Sequence, residues 1–293
     1  MKESAGGRIF NYFNYSLMVF FALLFIIPFF VILSTSLVGE QELIRRGSFI
    51  LIPEKLDFTA YETLLSQGST LYKAYGITIM RVIIGTALNL LFTAMLAFGV
   101  SRRTLPGRSV FITLIFITML FSGGLVPTYL LMKFLHLTNT FWAMIIPSLI
   151  SAWYFLIMKS FFQEIPESLE ESATIDGASP FRVLVSIIVP LSMPMLVTIG
   201  LFYGVNHWNA WFDATIYITN SDLMPVQVLL RRIVLTMTNQ DLDTSLLVNM
   251  EERATPQALR GAIIMITTLP IICVYPFLQK HFIKGVMVGS VKG

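Results

Sequence analysis

The sequence predicts an all-α integral membrane protein with six transmembrane helices. The 293-residue chain is 55% hydrophobic and only 13% charged, whereas soluble domains carry about 25% charged residues. Six of its stretches approach the roughly 20 apolar residues that a helix needs to cross a bilayer. The remaining charges are concentrated in the connections between these stretches, as expected of a membrane protein.

The same composition excludes several classes of protein. So few charges cannot cover the surface of a soluble globule of this size, which excludes a cytosolic enzyme and a disordered chain. The net charge of +3 is small and no basic cluster appears, so a nucleic-acid partner is not expected. Cys273 is the only cysteine, which rules out an internal disulfide and a multi-cysteine metal site, and we expect it to be buried.

The predicted spans follow one another along the chain with short and long connections. In order they cover residues 17–37, 77–100, 110–131, 141–162, 184 to 208–211, and 259–278. The first is too long and too aromatic for a cleaved signal peptide. An N-terminal tail (1–16), an extracellular segment (38–76) and a C-terminal tail (280–293) complete the predicted organisation.

Charge in the short connections predicts the orientation. Arg102, Arg103 and Arg108 lie between the second and third spans, whereas only Lys133 lies between the third and fourth. Because positive residues favour the cytoplasmic side, both termini are predicted to be cytoplasmic.

Some residues within the spans are unusual for a lipid-facing helix. Arg81 lies one turn into the second span, where we expect it to snorkel to the outer interface; the alternative is a polar cavity. Prolines in or beside the spans predict kinks and favour a moving transport core over ordinary packing irregularity. These prolines are Pro28, Pro127, Pro147, Pro190, Pro194, Pro270 and Pro276.

The connection at residues 163–190 predicts a helix, a tight turn and a second helix. Ser168 and Glu171 have capping-box spacing, Gly177 suits a left-handed helix end, and Ser179 before Pro180 suits a new N-terminus. A polar helical face is predicted for Glu167, Glu170, Glu171 and Thr174, and a smaller, flatter face for Leu169, Ser172 and Ala173. The acidic charge favours docking into a protein groove over anionic lipid, with a solvated linker as the alternative.

This connection resembles the EAA loop of ABC importer permeases, whose pattern is Glu-Ala-Ala, three residues, Gly, nine residues, Ile, one residue, Leu and Pro. The matching positions are Glu171, Ser172, Ala173, Gly177, Ile187, Val189 and Pro190. The spacing is fully kept, and Ser172 for Ala and Val189 for Leu are small departures.

Further motifs resemble the carbohydrate branch of these permeases. They are Pro147-Ser148, residues 176–179, residues 208–211 and the tail 284–293. Residues 121–127 resemble the subgroup that serves complex polysaccharide fragments, such as pectin-derived or alginate-derived oligosaccharides. The resemblance identifies the chain as the second of two permease subunits in such an importer.

The resemblance implies a type I ABC importer (MetI-like) permease fold with a cytoplasmic coupling helix, in which residues 77–279 form the core permease domain. It implies a plasma-membrane complex with a second, homologous permease, two cytoplasmic ATPase subunits and an extracellular solute-binding protein, which together import an oligosaccharide. ATP and Mg²⁺ would be bound by the ATPases, and this chain would hold no cofactor. The coupling residues would be Glu170, Glu171, Ser172, Ala173, Asp176, Gly177 and Pro190.

A second cluster lies at the outer end of the fifth span and suits contact with sugars, because aromatic faces stack on sugar rings and amides bind hydroxyls. Its members are Tyr203, Asn206, His207, Trp208, Asn209 and Trp211. The alternative is an aromatic belt at the membrane interface. A lone histidine without neighbouring ligands does not predict a metal site.

Other functions remain to be weighed against an oligosaccharide permease. No Walker A loop occurs, so the energy must come from a partner. An intramembrane enzyme or an ion-coupled carrier would need ionisable groups within the spans, which are almost absent. Within the class, a permease for simpler sugars or glycerol phosphate is the alternative.

Overall fold

The computed structural model describes residues 5–47, 49–66, 69–236 and 254–290. Every regular element in these ranges is helical. Residues 1–4 of the N-terminal tail and 291–293 of the C-terminal tail lie outside the described residues. The chain divides into two compact units, residues 1–71 with 230–271, and residues 72–229 with 272–293.

The first unit is built from three helices and parts of three others. Its own helices are α1 (Ala5–Ser36), α2 (Glu40–Arg46) and α3 (Thr59–Ser66). Parts of α4 (Ser69–Ser101), α13 (Val226–Thr236) and α14 (Pro256–Ser290) also belong to it. Helix α1 carries an apolar stretch of which no part is buried against the rest of the described chain, and such a surface suits a lipid environment.

Local contacts order the first unit around the end of α1. The hydroxyl groups of Ser36 and Tyr61 are 2.7 Å apart. Gly261 allows α14 to approach α1 closely, because a Cβ there would lie 3.0 Å from the Ile32 carbonyl oxygen. In the segment that follows α1, the Glu42 carboxylate accepts a hydrogen bond from the Glu54 backbone N–H at 3.0 Å, and this bond lowers the Glu42 pKa.

The second unit contains most of α4 and the elements that follow it. These are α5 (Arg108–Leu120), α6 (Leu125–Phe134), two 3₁₀ turns (Phe141–Met144 and Ile146–Ser148), α7 (Ala152–Glu164), α8 (Glu167–Ile175), α9 (Pro180–Val183), a π segment (Leu184–Ile188), α10 (Val189–Leu191), α11 (Met193–Asn209), α12 (Phe212–Tyr217) and a further 3₁₀ turn (Ser221–Leu223).

Within the described residues, three helices are long and apolar enough to cross a membrane, and the number rises to six when each bent helix pair is taken as one span. The pair α5 and α6 is bent by 117°, the 3₁₀ turns and α7 by 53°, and α9–α10 and α11 by 88°. The predicted count of spans is therefore confirmed, but the third, fourth and fifth spans are broken rather than continuous.

A local backbone feature accompanies each break. Gly124 adopts φ +87° between α5 and α6, a conformation that side chains oppose. Ser151 is extended before α7. Pro190 and Pro194 have no N–H, so the helix loses hydrogen bonds around Ser192. The π segment ends at Ile188, two residues before Pro190, as expected near a position where the helix lacks a donor.

Not every proline acts this way. Pro28 lies inside α1, and Pro270 and Pro276 lie inside α14, and both helices continue through them. Helix α1 begins at Ala5, before residue 17, where the first span was predicted to begin. One further expectation was wrong, since Cys273 is exposed on α14 rather than buried.

The core of the second unit joins the C-terminal half of α4 to α7 and α9–α11. Ala97, Phe155, Phe162, Ile188 and Ile199 are at most 2% exposed in this cluster. A separate cluster packs the 3₁₀ turn at Ala143 and Met144 against Ala214 of α12. Both clusters fix the broken spans to the continuous helix α4 and its neighbours.

Candidate functional site

Helix α8 forms the predicted helix of the 163–190 loop, but it begins differently. Its first residue is Glu167 and its N-cap is Pro166, which provides no side-chain cap. Ser168 is already inside the helix, so the predicted capping box does not form. Proline at this point restricts Ile165 to extended backbone and presets the turn, which moves the start forward.

The end of α8 follows the prediction closely. Gly177 has φ +80°, and a Cβ at this position would meet no atom within 4 Å. Glycine is therefore favoured here by the backbone conformation alone. The Ala178 N–H donates to the Ala173 carbonyl at 2.9 Å and closes the turn. Ser179 then caps α9 by accepting a hydrogen bond from the Arg182 N–H at 3.3 Å, and Pro180 is the first helical residue.

The two predicted faces of α8 are divided differently in the structure. Glu170 and Ala173 turn towards the body of the second unit, and Ala173 packs on its core. Glu171 is exposed, as are Leu169 (43%) and Ile175 (86%). The neighbouring residues Glu170 and Glu171 therefore have different environments, and the exposed face that carries Glu171 also carries the apolar Ile175.

Glu170 is held by an ion pair to Arg102, the first residue after α4. Burial raises the pKa of the Glu170 carboxyl, and the Arg102 charge opposes that effect. Burial also lowers the pKa of the Arg102 guanidinium, against the attraction of Glu170. Each charge is therefore retained at a partly buried position mainly because the other is present.

The other predicted coupling residues lie near α8, with one exception. Ser172 and Asp176 are exposed, and the Ser172 hydroxyl donates to the Ser168 carbonyl at 2.8 Å. Pro190 lies in α10, beyond the π segment. The structure thus groups most of the predicted residues on one short helix and its turn, and places Pro190 in the broken fifth span.

A second polar constellation surrounds Arg81 and is called here the Arg81 network (Arg81, Asn89, His207 and Asp213). Arg81 is 1% exposed. Its guanidinium forms an ion pair with Asp213 and donates to the His207 Nδ1 atom at 3.4 Å. The His207 Nε2 atom is 2.7 Å from the Asn89 Oδ1 atom. The expectation that Arg81 snorkels to the interface was wrong, since these partners hold it inside the protein.

The Arg81 network supplies donors where the spans break. Arg81 donates to the Met144 carbonyl at 3.1 Å and to the Ala210 carbonyl at 3.3 Å. Asn89 donates to the Ser148 and Leu149 carbonyls at 2.7 and 2.8 Å. Broken helices persist in a membrane only where their freed backbone groups find such partners.

Gly85 makes room for this network on α4. A Cβ at Gly85 would lie 2.5 Å from the His207 Nε2 atom. Because Arg81 and Asn89 fix the imidazole from both sides, it has little freedom to give way.

The structure separates the six predicted sugar-contact residues. Tyr203 and His207 are buried, and the Tyr203 hydroxyl lies 3.0 Å from the Thr93 hydroxyl and accepts from the Ser151 N–H at 3.0 Å. Asn206 and Asn209 are exposed, and Asn206 donates to the Tyr154 hydroxyl at 3.2 Å.

The two tryptophans of this cluster are half-buried. Trp208 lies 6.2 Å from the Tyr75 ring, and Trp211 lies 5.6 Å from the Phe212 ring. Only Asn206 and Asn209 are therefore fully available to a solute in this structure.

Sequence reasoning missed Arg102, Asn89 and Asp213. Asn89 is an amide within an otherwise apolar span, which is a signal of an internal polar partner. The spacing of Arg102 from Glu170 along the chain carries no comparable signal, since their contact depends on how α8 packs.

Comparisons with known proteins agree on one kind of molecule. A family model described as "Binding-protein-dependent transport system inner membrane component" matches residues 103–288. The chain is 40% identical over 289 residues to the polygalacturonan/rhamnogalacturonan transport system permease protein YtcP of Bacillus subtilis (strain 168), covering 98% of this chain and 99% of that protein. It is 41% identical over 298 residues to Protein LplC of the same organism, covering 100% and 98%.

A solved structure extends the similarity to the fold. It is the crystal structure of a bacterial ABC transporter involved in the import of the acidic polysaccharide alginate. The TM-score is 0.86 at 29% identity, over 96% of this chain and 99% of the matched one.

Proposed function

The chain belongs to the family of binding-protein-dependent transport system inner membrane components, and from that premise we propose that it imports oligosaccharides released from complex polysaccharides. As a member of this family it is a membrane-embedded permease subunit of an ABC importer, with the permease fold of that class. It works with ATPase and substrate-binding partners and is not itself an enzyme.

The substrate class rests on the relatives. One full-length relative is named for transport of polygalacturonan and rhamnogalacturonan, and the matched crystal structure is of a transporter for alginate. Both substrates are polysaccharides, and the similarity covers nearly the whole chain in each case. A substrate of the same class for this chain is the simplest inference, with simpler sugars and glycerol phosphate as the alternatives.

Helix α8 is the proposed coupling helix. Its exposed face offers a carboxylate at Glu171 beside the apolar Ile175, four residues on, a combination that suits a groove in another protein. The turn at Asp176 and Gly177 would present this face to an ATPase subunit. ATP and Mg²⁺ would be bound by the two ATPase subunits, whose movement α8 would transmit to the spans.

The proposed assembly contains a second, homologous permease, which would form a heterodimer with this chain. The exposed apolar surface of α1 suits lipid and such a neighbour. Both termini would be cytoplasmic, since α8 must face the compartment that holds ATP, and an extracellular binding protein would deliver the solute from the other side.

The proposed solute pathway includes the outer end of the fifth span. Asn206 and Asn209 are exposed there, and an amide exposed to lipid would be costly. Tyr203 and His207 would support the pathway from behind, because both are buried and hydrogen-bonded. Trp208 and Trp211 would border it or pack at the membrane interface.

The test is transport by the assembled complex. The chain is purified with its partner permease, its ATPases and its binding protein, and is reconstituted into vesicles with internal ATP. Import is measured for oligogalacturonides, rhamnogalacturonan and alginate oligosaccharides, maltose and glycerol 3-phosphate. We expect ATP-dependent import of at least one of the three polysaccharide-derived classes. Import of maltose or glycerol 3-phosphate alone would contradict the proposed substrate.

A further inference from the structure

Three consecutive residues at the C-terminal end of α4, residues 100–102, each contact a different element. The Val100 carbonyl accepts a hydrogen bond from the Arg108 Nε atom at 2.9 Å, at the start of α5. The Ser101 carbonyl accepts from the Gln163 side chain at 3.3 Å, at the end of α7. Arg102 forms the ion pair with Glu170 on α8. The second span is thereby tied to the third, to the fourth and to the proposed coupling helix.

Two of these three contacts use backbone carbonyls at a helix end, which always need partners. The third uses a side chain that the helix end does not require. Arg102 follows these two residues in the sequence, and its contact is the one of the three that reaches α8, the proposed coupling helix.

The environment of Arg102 makes its partner important. Its side chain is 19% exposed and that of Glu170 is 15% exposed. The guanidinium carbon lies 4.5 Å from the centre of the Phe98 ring, a cation–π arrangement. Its Nε and Nη2 atoms are buried without a hydrogen-bond partner among the described residues. A partly desolvated cation of this kind is retained only where a carboxylate compensates it, and Glu170 does so.

The geometry of an α-helix links this ion pair to the rotation of α8 about its own axis. Successive residues of an α-helix are separated by about 100° around its axis, since a turn takes 3.6 residues. Fixing Glu170 inwards therefore fixes the direction of its neighbour Glu171 and of the other exposed residues. Helix α8 is short and has a turn at each end. Among the described residues, it makes few other polar contacts that would set its rotation about its own axis.

We propose that Arg102 is a positioning residue that sets the rotation of α8 through Glu170, so that Glu171 and Ile175 face the ATPase. This inference rests on the proposed function of α8 as the coupling helix. It assigns different tasks to two adjacent glutamates: Glu170 holds the helix to its own chain, and Glu171 is presented to the partner.

The experiment uses the assembled transporter with two independent readouts. The first is the number of oligosaccharide molecules imported per ATP hydrolysed, with the substrate found in the transport panel. The second is the mobility of a nitroxide label on an Ile175→Cys variant in a Cys273→Ala background, which needs no substrate. Ile175 is 86% exposed in the single chain. Because the proposal places it against the ATPase, label mobility is compared only among proteins that carry the label, and import per ATP is measured on the unlabelled variants.

The variants are Arg102→Gln, Glu170→Gln, Arg102→Lys and the exchange R102E/E170R. Arg103→Gln is the matched control, because Arg103 is the adjacent cation and is exposed. We expect the two Gln variants to lower the import per ATP at least about fivefold, the effect of 1 kcal/mol on an equilibrium, and to raise label mobility. The exchange and the Lys variant should recover most of both values, and the control should match the wild type.

The outcomes separate this proposal from the proposed function. Unchanged label mobility and unchanged import per ATP in both Gln variants would overturn the role of Arg102 while leaving the transport function intact. A wild-type complex that imports no oligosaccharide would count against the proposed function, and label mobility would still decide on Arg102. If the Gln variants fail to assemble, the Lys variant and the exchange supply the comparison, and failure of the exchange to restore mobility would contradict the proposal.

Discussion

Arg81 is a buried cation in a membrane-spanning helix, and its neighbours account for that position. Asp213 neutralises its charge, and the carbonyls of Met144 and Ala210 accept hydrogen bonds from its guanidinium. One arginine therefore satisfies backbone groups at the end of the first 3₁₀ turn and at the end of α11. At the residue scale, the charges that remain in this apolar sequence hold irregular backbone in place.

Removing the anion tests this account. We expect Asp213→Ala to destabilise the protein by about 3–5 kcal/mol, the usual cost of leaving a buried charge without its partner. Asp222→Ala is the matched control, because Asp222 pairs with Lys73 where both side chains are more than half exposed, and exposed pairs contribute about 0–1 kcal/mol. The measurement is the thermal unfolding midpoint of the detergent-solubilised transporter. Equal shifts for the two variants would show that the Arg81 network does not carry the stability assigned to it.

The angle between helices α8 and α9 depends on the backbone conformation of one residue, Gly177, in the turn that joins them. Gly177 has φ +80° with no atom near a prospective Cβ, so a substitution there is opposed by the backbone alone. For ordinary side chains that conformation costs roughly 1–2 kcal/mol, whereas asparagine tolerates it better. The chain passes from α8 through this turn into α9, so a change at Gly177 would change how α8 is presented.

We therefore expect Gly177→Val to reduce the oligosaccharide imported per ATP more strongly than Gly177→Asn. Gly47→Val is the matched control: Gly47 has φ +79° and open surroundings, but it follows α2 in the segment after the first span. The three variants are compared by uptake and ATP hydrolysis in vesicles. If Gly47→Val lowers the import per ATP as much as Gly177→Val, a general loss of stability rather than coupling would explain the effect.

The elements themselves could be predicted from the sequence to different degrees. The six apolar stretches were found because length and hydropathy suffice to define a span. Gly177, Ser179 and Pro180 were placed correctly because turn chemistry depends on local backbone preferences. Prolines were predicted to kink the spans, and Pro147, Pro190 and Pro194 do lie beside breaks. Other prolines lie in helices that continue, because whether a proline breaks a span depends on distant donors. Pro28 and Pro190 are both prolines in apolar helices, yet only the second lies at a break.

The side-chain contacts of the site were the least predictable part. Glu170 and Glu171 are indistinguishable as neighbouring glutamates. Glu170 turns inwards because Ala173 packs on the core and because Arg102 pairs with Glu170, and neither contact can be read from the sequence. Arg81 was assigned to the interface because its partners come from residues 144, 207, 210 and 213, far away in the sequence.

At the scale of the whole molecule, the chain is an all-helical permease subunit in which continuous helices accompany broken ones. The apolar spans provide the membrane-embedded body. The Arg81 network binds backbone groups beside the break in the fourth span and at the C-terminal end of the fifth. The contacts of residues 100–102 join the end of α4 to the start of α5, the end of α7 and α8. The proposed mechanism requires α8 to lie against an ATPase subunit in the cytoplasm.

That requirement can be measured directly. In the assembled transporter, a single cysteine at position 175 (Ile175→Cys with Cys273→Ala) is combined with single cysteines around the groove of the ATPase subunit. We predict oxidative cross-linking to the ATPase, with a yield that changes when ATP is bound, and no labelling by a membrane-impermeant thiol reagent added outside intact cells. Labelling of position 175 from outside, without cross-linking to the ATPase, would contradict the account.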